Sequence, residues 1–137
     1  MPASDTADQG GQVPYQYVIL RVVPTVERGE RINVGVALFC RQRRFLGARV
    51  GVDESRLAAL DPGADAADIA QHLDGLLRVV DGDPLGGPVA ALDQSDRFGW
   101  LAAASSTLVQ PSEVHTGLCE DPAATLQALF ARLVAPR

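Results

Sequence analysis

The chain contains no lysine: all 12 of its basic residues are arginine. That usage fits a GC-rich bacterial coding sequence, and an anion-recognising surface would require the arginines to cluster. Cysteine is scarce too. Cys40 and Cys119 are the only two, too few for a disulfide framework and without the spacing of a metal site. No apolar run approaches the roughly 18 residues of a membrane span. The opening MPASDTADQGGQ also lacks the charged-then-apolar design of a secretory signal, so a cytoplasmic location is expected. Excess positive charge is missing as well, and a formal charge of -5 argues against general binding to nucleic acid.

What remains is ordinary globular material: 137 residues, 47% apolar and 21% charged, enough for one domain with a genuine core. Residues 1–13 are small and polar and are expected to form a disordered tail, leaving 14–137 as a single globular domain. YQYVILRVV (15–23) is β-branched and aromatic, apolar on both faces, and reads as a central strand closed by Pro24. RINVGVALFC (31–40) and RRFLGARVGV (43–52) read as a hairpin beside it. Asp53 starts a short helix ended by Pro62 and Gly63, and Asp65 or Asp68 starts a longer one with Ile69, Leu73, Leu76, Leu77 and Val80 on one stripe. Residues 81–90 read as a surface loop, and its DGDPLGG lacks the ligand spacing of a calcium loop. A short helix over 95–104 capped by Ser95, strands over 106–110 and 112–117 broken by Pro111, and a final helix opening on Asp121-Pro122 complete the chain. The expected fold is α+β: a mostly antiparallel sheet with helices packed on one face.

One corner stands out. In PTVERGERINVGVALF (24–39), Glu27, Arg28, Glu30 and Arg31 crowd the entrance to an apolar strand that Asn33 and Gly35 interrupt. Strand parity places Ile32, Val34, Val36 and Leu38 on the core face and Asn33, Gly35, Ala37 and Phe39 on the other. Joined by Arg21, Gly47 and Arg49, that second face would be a floor of small residues ringed by arginines. A functional corner would use Arg21, Arg28 and Asn33 as donors and Glu27 or Glu30 as base or ligand. A structural one would pin a tight loop by ion pairs, with a buried Arg21 neutralised by Glu27 or Glu30.

Arg97 and His115 are second-half contributors to such a site, Arg97 with the Ser105-Ser106-Thr107 run as a phosphate contact and His115 as an acid or base. His72 flanks the stripe of the long helix. Trp100, the only tryptophan, suggests with Phe98 an interface anchor. No residue set implies a cofactor or a metal.

Tyr15-x-Tyr17, Arg21-x-x-Pro24-x-x-Glu27-Arg28-x-Glu30 and Asn33-Val34-Gly35-Val36 resemble the opening of a bacterial family catalogued as domain of unknown function 3037. Arg97-x-x-Trp100, Ser105 to Gln110 and Val114-His115-x-Gly117, leading to the Asp121-Pro122 helix, resemble its second half, so the likeness spans about 14–134. The resemblance carries no established activity. It implies a small cytosolic bacterial protein whose gene often neighbours those of HipA-like kinases. The leading expectation is therefore a non-enzymatic accessory or regulatory partner of a HipA-like kinase, since no catalytic set is recognisable. The alternative is a small enzyme or ligand-binding domain acting on a phosphorylated or nucleotide substrate through Arg21, Glu27, Arg28, Glu30 and Asn33. No membrane partner is expected, and a homodimer is compatible with the sequence.

Overall fold

The computed structural model describes residues 11–103 and 108–136. Strand β1 (Val13–Val22) pairs antiparallel with β2 (Ile32–Cys40), which pairs antiparallel with β3 (Phe45–Val50). On its other side β1 pairs with two short strands in succession, β4 (Val109–Pro111) along its C-terminal half and β5 (His115–Cys119) along its N-terminal half. Among the described residues the antiparallel sheet thus has five strands with β1 at its centre, as its apolar character on both faces requires. Val13, the last residue of the expected tail, already lies in β1 and is buried; residues 1–10 fall outside the described residues.

Among the described residues four helices surround the sheet: α1 (Glu54–Leu60), α2 (Ala66–Asp81), α3 (Gln94–Ala103) and α4 (Pro122–Leu133). Each begins with an aspartate side chain accepting from first-turn amides, at Asp53, Asp65, Asp93 and Asp121. Asp93 does this at the start of α3, where Ser95 was expected to cap. Gly82 ends α2 in the left-handed conformation with φ +68. Two 3₁₀ turns, Pro84–Gly86 and Pro88–Ala91, occupy the loop between α2 and α3.

The α+β class and antiparallel sheet are as expected, but the helices divide between both faces instead of gathering on one. Helix α4 packs on Val36, Leu38 and Cys40, with Cys119, Leu126 and Leu129 completing that core. Helices α1 to α3 cover the opposite face, where Leu57, Ile69, Leu73, Phe98 and Leu101 meet Val18, Leu20, Ala37 and Phe39. A strand pair apolar on both sides leaves oily surface in water unless it is covered twice.

Strand parity also breaks inside β2. Leu20 pairs with Gly35 but Arg21 pairs with Asn33, leaving Val34 as an extra residue in a bulge. Ile32 and Val34 therefore join Ala37 and Phe39 in the core under α1 to α3, while Val36 and Leu38 face α4. The expected grouping of Val34 with Val36 and Leu38 is overturned. So is the floor of small residues. Gly35 is buried, and a Cβ there would meet Val50 Cγ1 at 3.0 Å and Leu20 Cδ1 at 3.2 Å, so the space belongs to packing and not to a ligand.

Candidate functional site

The residues of the charged corner divide between the sheet face and the exposed loop. Arg21 and Asn33 are cross-strand partners, half-buried on the sheet face beside α4. Arg21 Nε donates to Asn33 Oδ1 at 3.4 Å, and Asn33 Nδ2 donates to Leu133 O at 3.1 Å, closing the last turn of α4. Glu27, Arg28, Glu30 and Arg31 all lie exposed in the loop, where Arg28 Nε and Glu30 Oε1 form an ion pair at 2.6 Å. Such an exposed pair contributes little stability. Arg21 is thus neither largely buried nor bonded to Glu27 or Glu30. A long loop of charged residues stays hydrated at little cost, and the strand is apolar enough without drawing it in.

Arg21 finds a different acid. Glu113, from the short link between β4 and β5, acts on it electrostatically, and burial together with the neighbouring Arg31 lowers the guanidinium pKa. The Glu113 carboxyl is held below its usual range, first by a hydrogen bond from its own backbone amide, then by His115, Arg21 and Arg31. Glu113 Oε1 lies 3.3 Å from His115 Nε2, a pair that is ionic only when the imidazole is protonated.

His115 belongs to an aromatic row. Tyr17 and His115 are cross-strand partners whose rings stack at 5.0 Å, and Tyr15 stacks on Tyr17 at 6.0 Å. Tyr15 in turn pairs with Gly117, and its ring fills the place where a Cβ on Gly117 would sit, 2.6 Å from the Tyr15 hydroxyl oxygen. Tyr-x-Tyr and His-x-Gly thus fit one another across the β1–β5 ladder, glycine giving room for one ring and histidine stacking on the other. Because α4 lies over β2 and β3, the rings and Arg21 are left half-exposed beside it. Tyr15, Tyr17, Arg21, Glu113 and His115 form one strip along the open part of this face. Glu113 was not singled out in the sequence; an acid two residues before a strand histidine was its one signal.

The other candidates go elsewhere. Arg97 donates through Nη1 to Val80 O at 2.7 Å and Val79 O at 3.1 Å, so it caps the C-terminus of α2, where a cation complements the helix dipole. Phe98 is 4% exposed and stacks on Phe39 at 5.6 Å, so it is a core residue and not an interface anchor. Trp100 is 39% exposed on the solvent side of α3, away from the strip and across the sheet from it. His72 is exposed on α2. Ser105-Ser106-Thr107 lies outside the described residues. Cys40 and Cys119 are free and buried, and burial raises the Cys119 pKa. Among the described residues no group of three or more His, Cys, Asp or Glu is placed to hold a metal, and no helix is long and apolar enough to cross a membrane.

Fold and strip together define a small α+β domain with an antiparallel sheet covered on one face by three helices and on the other partly by one. Residues 17–134 match the family described as Protein of unknown function (DUF3037), and the chain belongs to that family. No curated protein and no solved structure matches it.

Proposed function

We propose that this protein is a non-enzymatic interaction module that docks a partner through the Tyr15–Tyr17–His115 row and Arg21. The half-exposed aromatic row carries the reading: stacked rings beside a guanidinium offer rigid apolar area with polar edges, the chemistry that dominates interface centres. A HipA-like kinase, acted on by an accessory or regulatory subunit, is the partner implied by the family resemblance. The alternative of a phosphorylated or nucleotide substrate held by Arg21, Glu27, Arg28, Glu30 and Asn33 required those groups to converge. Arg21 and Asn33 bond to each other on the sheet face while the other three are exposed in the loop, an arrangement that favours the docking reading.

Co-expression with a HipA-like kinase of the native host tests the proposal. Copurification that Arg21→Glu and His115→Ala abolish, in variants that still unfold cooperatively, supports it. Copurification indifferent to both variants, or turnover of a substrate that requires Glu27 or Glu30, refutes it.

A further inference from the structure

The far edge of the sheet is a second surface, independent of the strip. Among the described residues, strand β3 pairs with β2 alone and closes the sheet on that side. Its phase is fixed by Gly51 N–H, which donates to Val34 O at 2.8 Å. Counting back through the ladder, Phe45, Gly47 and Arg49 turn their backbone groups toward β2, and Leu46, Ala48 and Val50 turn theirs outward. Unpaired edge groups of this kind are a template for another strand.

The edge runs between two depressions. One, about 440 Å³, is lined on the α2 side by Val50, Val52, Ala66, Ala67, Ala70 and Leu73. The other, about 550 Å³, is lined on the α4 side by Gly47, Ala123, Ala124 and Leu126. Both helices present alanines to the space beside the edge, so a strand added there has room for side chains alternating to either side. Glu54 and Asp74 border the first depression and Asp81 and Asp121 the second, against one cation among the described lining residues, Arg49, whose guanidinium already sits 5.5 Å over the Phe130 ring. A second copy of the chain would bring the same carboxylates to the shared groove.

We propose that the β3 edge receives an extended, basic segment of a partner protein as an added strand. Main-chain hydrogen bonds to Leu46, Ala48 and Val50 hold it, small apolar side chains enter the α2-side depression, and basic ones on the other side meet Asp81 and Asp121. This surface lies at the opposite edge of the sheet from the aromatic strip, so its failure leaves the reading of the strip untouched.

The probe is a blocked octapeptide of alternating valine and arginine, with the same peptide N-methylated at every second amide as its control. Expected are amide-shift changes and new exchange protection at Leu46, Ala48 and Val50. Roughly tenfold or greater loss of affinity is expected for the N-methylated peptide, for Ala48→Pro and for Ala70→Arg. Ala48→Pro removes an amide that faces outward, and Ala70 is an exposed site where a longer side chain fills the groove without entering the core, so either variant serves if the other fails to fold. Equal binding of the N-methylated peptide, unchanged affinity in the folded variants, or shifts elsewhere on the surface overturns the proposal. So does a free chain that sediments as a dimer with these amides already protected. Protection that disappears when residues 1–10 are deleted assigns the edge to the chain's own terminus and overturns it too.

Discussion

Ser112 and Ile19 are joined by two hydrogen bonds running in opposite directions. Ser112 N–H donates to Ile19 O at 2.8 Å, and Ile19 N–H donates to Ser112 Oγ at 2.8 Å. The serine hydroxyl stands in for the backbone acceptor that the ladder loses between β4 and β5, and then donates to Glu113 O at 2.8 Å. Ser112 is the one buried polar side chain of the described residues, and it keeps the centre of β1 satisfied where its neighbouring strand breaks.

Ser112→Ala is therefore expected to leave the buried Ile19 amide without a partner and to destabilise the fold by about 1–3 kcal/mol. Denaturant unfolding checks this, with Ser112→Thr as the variant that retains the hydroxyl. A loss from Ser112→Ala that matches ordinary surface substitutions contradicts the role.

Arg97→Ala removes the charged donor from the end of α2 and is expected to cost about 1.5–3 kcal/mol. Arg21→Ala, whose one bond is long and half-exposed, is expected to cost at most about 1 kcal/mol. The two melting curves measured side by side give the order, and a larger loss at Arg21 reverses the assignment of roles.

Much of this fold follows from local pattern. Aspartate caps, the β2–β3 hairpin, the central place of β1 and the Asp121-Pro122 helix start each depend on residues close together in sequence. Two features do not. A bulge at Val34 reverses which side chains of β2 share a face, and nothing local distinguishes it from a regular strand, because Asn33 and Gly35 are as compatible with a floor as with a bend. The division of helices between faces was implicit in a strand apolar on both sides, yet choosing a face for each helix requires tertiary contacts. The candidate site was legible in pieces: Tyr15, Tyr17 and Gly117 belonged to a recognised pattern and Arg21 to a suspected one, but only the β1–β5 register brings them together.

Glu113 links the strip to pH. Its folded carboxyl is depressed, so the stability it contributes is fully present above the unfolded carboxylate pKa and is lost as pH falls through the folded value. Glu113→Gln is expected to lower the urea midpoint at neutral pH and to converge with the wild type in strong acid. A difference that persists or grows in acid has the wrong sign for this account.

Burial raises the Cys119 thiol pKa, and Cys40 beside it adds to the effect. A thiol that is buried and little ionised reacts slowly, since the thiolate is the nucleophile. Native protein is expected to resist a neutral-pH disulfide reagent at both cysteines, with both sites reacting on denaturation. Rapid native labelling of Cys119 places it at an accessible surface and contradicts its burial in the core with Cys40, Leu126 and Leu129.

The last prediction separates three surfaces that one partner could use. The strip on β1 and β5, Trp100 on α3 and the β3 edge lie on different parts of the molecule, so a substitution in one leaves the others intact. His115→Ala trims a half-exposed ring and Arg21→Ala a half-exposed guanidinium, and both leave the two cores untouched. If the strip is the docking centre, each is expected to weaken partner binding by roughly 2 kcal/mol, as anchor residues do when truncated. Trp100→Ala is then expected to change binding by less than about 0.5 kcal/mol, because a side chain on the opposite face of the sheet makes no contact with a partner docked on the strip. Isothermal titration against the proposed partner, paired with a melting curve for every variant, reads both quantities. Loss of binding confined to Trp100→Ala moves the docking surface to α3, across the sheet, and refutes the strip while keeping the interaction module.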